Sequence, residues 1–507
     1  MTQLSRNIIA NLAGKLCNGL LSLGLIPLYV RLMGVESYGL VGVFASFQAV
    51  LLLLDMGLST TLNRELARLP HQKGGAEARD WVRTMEVPYW GAASVVLIVA
   101  WPLGSLIALH WVQPGHLSPA STQKAFSLMG LAVGLQFPFT LYSGGLMGLQ
   151  RQVLLNGIVI ASALFRGLGA AAVLWLVDPG IHTFMCWQIL ASALQTIVAW
   201  RVLWSALPTS ESSPRVRKDL LLGRWRFAGG VFAVTALSVI LTQMDKVVLS
   251  NILPLEQFGY YAMASAVAGA LSVMVSPLFS AVFPRFSQLA VIGDQEALKL
   301  LYHKSCQMMA VLILPPAIVL AIFSREIMIL WTQNPTTAEH TWRLVSVLIV
   351  GAALNGLMNI PYALQLAHGW TRLSIVVNLV AIMVLIPMLV LLSLRWGSLG
   401  AAWVWPILNA AYVLFSLSIM HRRLLPGELW HWYWADSGLP LLAALSVSAG
   451  VRFVVRGTAD FGWNVAAILV ASLLSPLAAG LVSRHVRIVV VKLWRERNTD
   501  KYFRVSK

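Results

Sequence analysis

Charge is scarce in this sequence. Asp, Glu, Lys and Arg make up only 11% of the 507 residues, against about 25% in a soluble domain, too few to cover a water-facing surface of this size. Acid is scarcer still, with 20 Asp and Glu against 37 Lys and Arg. The three cysteines, Cys17, Cys186 and Cys306, fall in separate apolar stretches. An odd number so placed offers neither a disulfide framework nor a thiolate metal site, and they read as packing residues. Catalytic signatures are also missing: the chain has no His-Glu-x-x-His, Cys-x-x-Cys, Gly-x-Ser-x-Gly or P-loop, and no cofactor is implied. Gly167-Leu168-Gly169 lacks the third glycine of a dinucleotide loop and lies in an apolar run, where small residues serve close helix packing.

What the chain has instead is hydrocarbon, with 58% hydrophobic residues in runs of roughly 20, the length that crosses about 30 Å of bilayer at 1.5 Å per residue. The runs place about fourteen spans, near 8–30, 38–57, 88–110, 125–148, 152–177, 181–204, 229–250, 258–284, 305–330, 342–366, 372–393, 398–420, 437–455 and 462–482. The first is too long for a signal peptide and carries Lys15, so it reads as a true span. Lys and Arg divide between alternate loops as about 27 to about 7, which predicts that both termini are cytoplasmic in a bacterial inner membrane. The basic clusters at Arg64–Arg83, Arg215–Arg226 and Arg484–Lys507 then set topology and touch anionic membrane lipid, and nucleic acid is not expected as a partner. Trp430-His431-Trp432-Tyr433-Trp434 sits where an interfacial aromatic belt belongs.

The chain also repeats itself. Glu36-Ser37-Tyr38-Gly39 is matched by Glu256-Gln257-Phe258-Gly259, an offset of 220 (259 − 39). Arg64 is matched by Arg285, and Gly148-Leu149-Gln150-Arg151 by Gly369-Trp370-Thr371-Arg372, both at 221 (285 − 64 and 372 − 151). Three matches in order predict two parallel six-helix lobes, 1–204 and 229–420, joined by a cytoplasmic linker at 205–228 and related by an axis along the membrane normal, with a central cleft. Two further helices at 437–482 and a basic tail at 483–507 complete an all-α polytopic membrane protein.

Polar groups inside the spans are the candidates for function, since a charge at mid-bilayer costs about 2.5–3.5 kcal/mol. Asn7, Asn11, Lys15, Asn18 and Ser22 share one helical face of the first span. Under the offset of 220, Lys15, Asn18 and Ser22 fall on Thr235, Ser238 and Thr242 of the seventh span, which also carries Asp245 and Lys246. Lys15, Arg166 and Lys246 are the candidate cavity cations. Asn11, Asn18, Ser22, Thr235, Ser238, Thr242, Asn355 and Asn359 are candidate cavity-lining groups, and Asp55, Arg64, Asp245 and Arg285 are candidate coupling or structural charges. A bland alternative pairs Arg166 with Asp55 or Asp245, turns Lys15 toward the membrane surface, and spends Asn355, Asn359, Asn378 and Asn409 on interhelical hydrogen bonds.

The Asn-rich first span, Arg31-Leu32-Met33-Gly34 through Tyr38-Gly39, Leu54-Asp55-Met56-Gly57-Leu58, Gly148-Leu149-Gln150-Arg151 and Gly397-Ser398-Leu399-Gly400-Ala401-Ala402 resemble the polysaccharide transporter and O-antigen flippase family, within the multidrug, oligosaccharidyl-lipid and polysaccharide exporter superfamily. The resemblance covers about residues 5 to 480. It implies a flippase, not an enzyme, that turns a polyprenyl-diphosphate-linked oligosaccharide to the periplasmic leaflet by alternating access for surface polysaccharide synthesis, alongside polysaccharide polymerase machinery. Cations would then meet the diphosphate, and amides and hydroxyls the sugars. The final two helices would form a groove for the prenyl tail, while the dense arginine cluster of peptidoglycan-precursor flippases is missing. A cation-coupled multidrug exporter of the same fold would favour buried carboxylates over buried cations, and a membrane glycan polymerase would need a large periplasmic loop.

Overall fold

The computed structural model describes residues 3–69, 75–210, 212–217, 219–220, 225–455 and 461–488, without the side chains of 3–13, 16, 225–227, 234 and 461. Lys73, Lys218, Arg224, the side chains of Asn7, Asn11 and Arg226, and the tail beyond 488 therefore lie outside what is described. Helices run in chain order as α1 (Gln3–Met33), α2 (Val35–Leu51), α3 (Leu58–Arg68), α4 (Gly75–His110), α5 (Pro119–Gln136), α6 (Phe139–Gly148), α7 (Gln152–Leu176), α8 (Ile181–Ala206), α9 (Trp225–Ile252), α10 (Leu255–Gly269), α11 (Leu271–Ile292), α12 (Gln295–Ile322), α13 (Ser324–Thr332), α14 (Pro335–Ala367), α15 (Thr371–Ala411), α16 (Leu417–Leu424), α17 (Leu439–Val454) and α18 (Phe461–Val482). No β-strand forms among the described residues.

Twelve helical stretches among the described residues are long and apolar enough to cross a bilayer, and Cys17–Met33 of α1 adds a shorter apolar helix. One stretch, Thr371–Leu424, has 54 residues, about 80 Å of helix and more than twice the hydrocarbon thickness. It breaks at Gly397, whose φ of 59° and ψ of −142° are non-helical and open at low cost only to glycine. Counting α1 and dividing the long stretch at Gly397 brings the total to the fourteen expected. The outward faces are apolar, with Ile98, Trp175 and Phe415 all about 70% exposed or more, as suits a protein whose solvent is lipid.

Contacts divide the chain into two compact units, Met1–Met263 with Leu389–Ser398, and Ala264–Met388 with Leu399–Lys507. In the first, Leu62, Trp81, Met85, Tyr89, Tyr142 and Leu203 form a buried core. Small residues let its helices close up: a Cβ on Gly167 would come within 2.5 Å of Leu25, and one on Gly169 within 2.3 Å of the Trp187 ring. That is the packing role expected of this glycine pair. In the second unit, Val319, Phe323, Val455, Ala467 and Ala471 cluster, joining α12 to α18.

The matched motifs are matched in space as well as in sequence. A Cβ on Gly39 would meet the Leu255 carbonyl at 2.4 Å, and one on Gly259 would meet the Val35 carbonyl at 2.5 Å. Leu255 lies 220 residues after Val35, so each helix start presses its glycine against the corresponding carbonyl of the other, the reciprocity a two-fold relation produces. At the third match the structure shifts the register. Gln150 and Gly369 take the left-handed conformation that ends each helix, and Arg151 and Trp370 donate to carbonyls five residues back, Leu146 and Gln365. The structural offset there is 219 (369 − 150), two less than the letter match suggests, because equivalent turns place glycine at different points of the motif.

Candidate functional site

Arg166 lies in the middle of α7, which gathers amides around it from three neighbours. Its Nη1 donates to Gln136 Oε1 of α5 at 3.1 Å, and its Nη2 to Gln195 Oε1 at 2.8 Å and Ser192 Oγ at 3.4 Å, both on α8. Gln48 of α2 extends the network by donating to Gln136 Oε1 at 2.6 Å. These acceptors are all neutral. The alternative pairing with Asp55 or Asp245 does not occur: Asp55 accepts from Tyr89 and from Ser59 Oγ at 2.9 Å, and Asp245 accepts from Tyr261 at 2.7 Å. Arg166 is thus fixed in position by uncharged partners, and these bonds leave its positive charge uncancelled.

The polar stripe of α1 shows Lys15, Asn18 and Ser22 all exposed. On α9, Ser238 and Thr242 are exposed and Thr235 half-buried. Lys246 turns back along its own helix, with Nζ 3.3 Å from the Thr242 carbonyl and 4.0 Å from Asp245 Oδ1. Adjacent residues on a helix cannot face each other squarely, which is why this ion pair is long and Asp245 draws on Tyr261. Arg64 and Arg285 are exposed, and Arg285 donates to Gln288 at 3.1 Å. In the second unit Asn355 donates to Asn409 Oδ1 at 2.9 Å, Asn359 to the Asn355 carbonyl at 2.9 Å, and Tyr412 to Asn378 Oδ1 at 3.2 Å. These four asparagines link helices or bond along their own.

Two features were not singled out in the sequence. One is the amide set Gln48, Gln136 and Gln195, whose only signal was an uncharged polar letter inside an apolar run. The other is Glu86, 5% exposed, which accepts from Tyr142 at 3.2 Å and Trp204 at 2.9 Å and pairs with Arg83 at 3.1 Å. Arg83, Glu86, Trp90, Tyr142, Thr196, Ile197 and Trp200 line a cavity of about 220 Å³. Arg83 had counted only as a topology charge, and an acid three residues further along a helix was the clue to its partner.

A family model described as polysaccharide biosynthesis protein matches residues 4–290, more than half of the chain. The chain belongs to this family. A relative from Shigella flexneri, named "Putative O-antigen transporter", is 21% identical over 416 residues, covering 79% of this chain and 94% of that protein. Among solved structures, the lipid II flippase MurJ in an inward closed conformation superposes with a TM-score of 0.70 at 13% identity, covering 94% of this chain and 98% of that one. The multidrug transporter DinF-BH gives 0.59 at 14% identity over 82% and 94%. At such identities these likenesses describe the fold, an all-helical multi-pass membrane architecture.

Proposed function

We propose that this polysaccharide biosynthesis protein is a flippase that moves a polyprenyl-diphosphate-linked oligosaccharide from the cytoplasmic to the periplasmic leaflet of a bacterial inner membrane, by alternating access, for O-antigen, capsule or exopolysaccharide assembly. The observation that carries this reading is Arg166, a guanidinium held inside the spans, among the described residues, by neutral acceptors. Keeping an unneutralised charge there costs several kcal/mol, a cost that a diphosphate arriving in the cavity would offset. Family membership and the relation to an O-antigen transporter support the glycan as cargo.

In this reading Arg166 and Lys15 meet the diphosphate with Lys246 in reserve, and the hydroxyl and amide groups of Asn18, Ser22, Thr235, Ser238 and Thr242 replace water around the sugars. The lobes 1–204 and 229–420 alternate about a central cleft while the prenyl tail stays in lipid beside the last two helices. Both termini are cytoplasmic, and a polysaccharide polymerase takes up the delivered glycan.

Deleting the gene should leave the lipid-linked glycan in the cytoplasmic leaflet, and the wild-type chain should restore export. Reporter fusions after Arg83 and Arg217 should read cytoplasm, and those near Pro114 and Pro179 periplasm. A deletion strain that exports glycan normally but loses drug resistance would replace this reading with that of a multidrug exporter.

A further inference from the structure

Outside the proposed path, a dense set of ligating side chains among the described residues lies where α12 meets the turn Leu429–His431 and the π-helical segment Trp432–Gly438. Asp436 has no exposed surface and His303 only 4%. A carboxylate so deeply buried needs a cation or a full set of donors. Its Oδ2 lies 2.5 Å from His303 Nδ1, and its Oδ1 accepts from Gln307 at 3.0 Å and sits 3.8 Å from His431 Nε2. One ligand atom from each of His303, His431 and Asp436 falls within 4.8 Å of the other two. The opposite edge of the His303 ring adds a second observation: Nε2 is buried and makes no hydrogen bond among the described residues. It is close to Glu428 Oε2, at 3.1 Å, but without the alignment a hydrogen bond requires. Lys299 Nζ holds the other Glu428 oxygen at 2.5 Å.

We propose that His303, His431 and Asp436 bind a divalent transition-metal ion, zinc by preference. Two imidazoles and one carboxylate form a donor set suited to zinc rather than to magnesium or calcium, which take oxygen ligands. Bonds of about 2.0–2.1 Å to a tetrahedral ion set neighbouring ligand atoms roughly 3.3 Å apart, so the 2.5 Å between His303 Nδ1 and Asp436 Oδ2 would open on binding, and His431, now 3.8 Å from the other carboxylate oxygen Oδ1, would move in. The ion takes the place of the proton between His303 Nδ1 and Asp436, and His431 closes on it by side-chain rotation. The His303 proton then resides on Nε2, and a small turn of the ring would aim it at Glu428 Oε2, 3.1 Å away, the outer carboxylate that fixes a ligating histidine's tautomer. His431 is 48% exposed and gives the ion its entry route, with a fourth position left for water. Bound there, the ion would fasten α12 to the segment that leads into α17.

The test uses the full-length protein, purified in detergent without a polyhistidine tag, stripped by chelator and dialysed against zinc. One equivalent of tightly held zinc is expected by elemental analysis, and cobalt should give the visible absorption of a tetrahedral nitrogen and oxygen site. His431→Ala, at a half-exposed position, should weaken binding by at least about 100-fold, and Glu428→Gln by about 10- to 100-fold, both with unchanged helical circular dichroism. His303→Ala should abolish binding, and if that variant fails to fold, His431→Ala decides alone. Wild-type protein that holds no zinc, or that holds it no better than His431→Ala, overturns the proposal and leaves His303 and Gln307 as hydrogen-bond partners of Asp436.

Discussion

Where the first repeat holds a guanidinium, the second holds a hydrocarbon. With the offset of 219 that aligns the starts of α7 and α15, Arg166 corresponds to Leu385 (385 − 166), which is 3% exposed. Gln136 corresponds by the same shift to Asn355 (355 − 136), and both are amides bonded across helices. The amide frame is thus shared and the charge is not. The glutamates at the matched helix starts also differ in use. Glu36 accepts from the backbone N–H groups of Gly115 at 2.7 Å and His116 at 3.0 Å, while Glu256 accepts from Tyr260 on its own helix at 3.0 Å. The two copies thus keep the groups that pack and bond helix to helix, and differ in the charges they carry.

The largest effect that could break this comparison is on transport. Arg166→Ala should reduce glycan export at least tenfold with membrane abundance unchanged, Arg166→Lys should keep part of it because a point charge still attracts phosphate, and Leu385→Ala should act on abundance rather than on export. Export assays paired with membrane immunoblots decide this, and normal export by Arg166→Ala at normal abundance removes the diphosphate role.

Next in size, Gly39→Val and Gly259→Val should each destabilise by about 1–3 kcal/mol, and by similar amounts, since their carbonyl contacts are reciprocal. Thermal unfolding of the solubilised protein measures both. A large effect from one and none from the other would argue against equivalent helix starts.

Glu36→Ala should cost about 1–3 kcal/mol by leaving loop N–H groups without their charged acceptor, and Glu256→Ala much less, since a single bond to Tyr260 is lost. Equal melting shifts would contradict the difference in use. Smallest of all, Asn355→Ala should cost about 0.6 kcal/mol, typical of a polar contact between membrane helices, and leave export near normal. A collapse of export in that variant would move Asn355 from scaffold to sugar path.

Much of the architecture was legible in the sequence because bilayer thickness imposes one length on every span, and hydropathy reports length directly. The helix starts at Val35 and Leu255 were legible too, since Gly39 and Gly259 stand at one offset with their neighbours. The break at Gly397 was present in the letters Gly-Ser-Leu-Gly, though only the backbone angles distinguish it from a packing glycine. The site was less legible. Arg166 stood out because a cation in an apolar run is expensive, yet nothing in the sequence chose between a carboxylate partner and neutral ones. That choice depends on which faces of α5, α7 and α8 meet. Gln48, Gln136 and Gln195 escaped notice because an amide in a span costs too little to demand an explanation, and His303, Asp436 and Glu428 because residues 133 and 125 positions apart (436 − 303 and 428 − 303) carry no shared periodicity.

The reciprocal approach of Gly39 and Gly259 bears on ancestry. Two surfaces that meet through the same residues have the geometry of a symmetric homodimer, here written into a single polypeptide. In such a dimer every mutation arrives twice, and an arginine placed in one subunit's interior is placed in the other's as well. Fusion of the two genes lifts that constraint and lets one half acquire a charge while the other keeps a leucine. The glycine contact would then be the preserved seam of the older assembly, and a chain severed in the 205–228 linker and expressed as two pieces should still find its way back together across it.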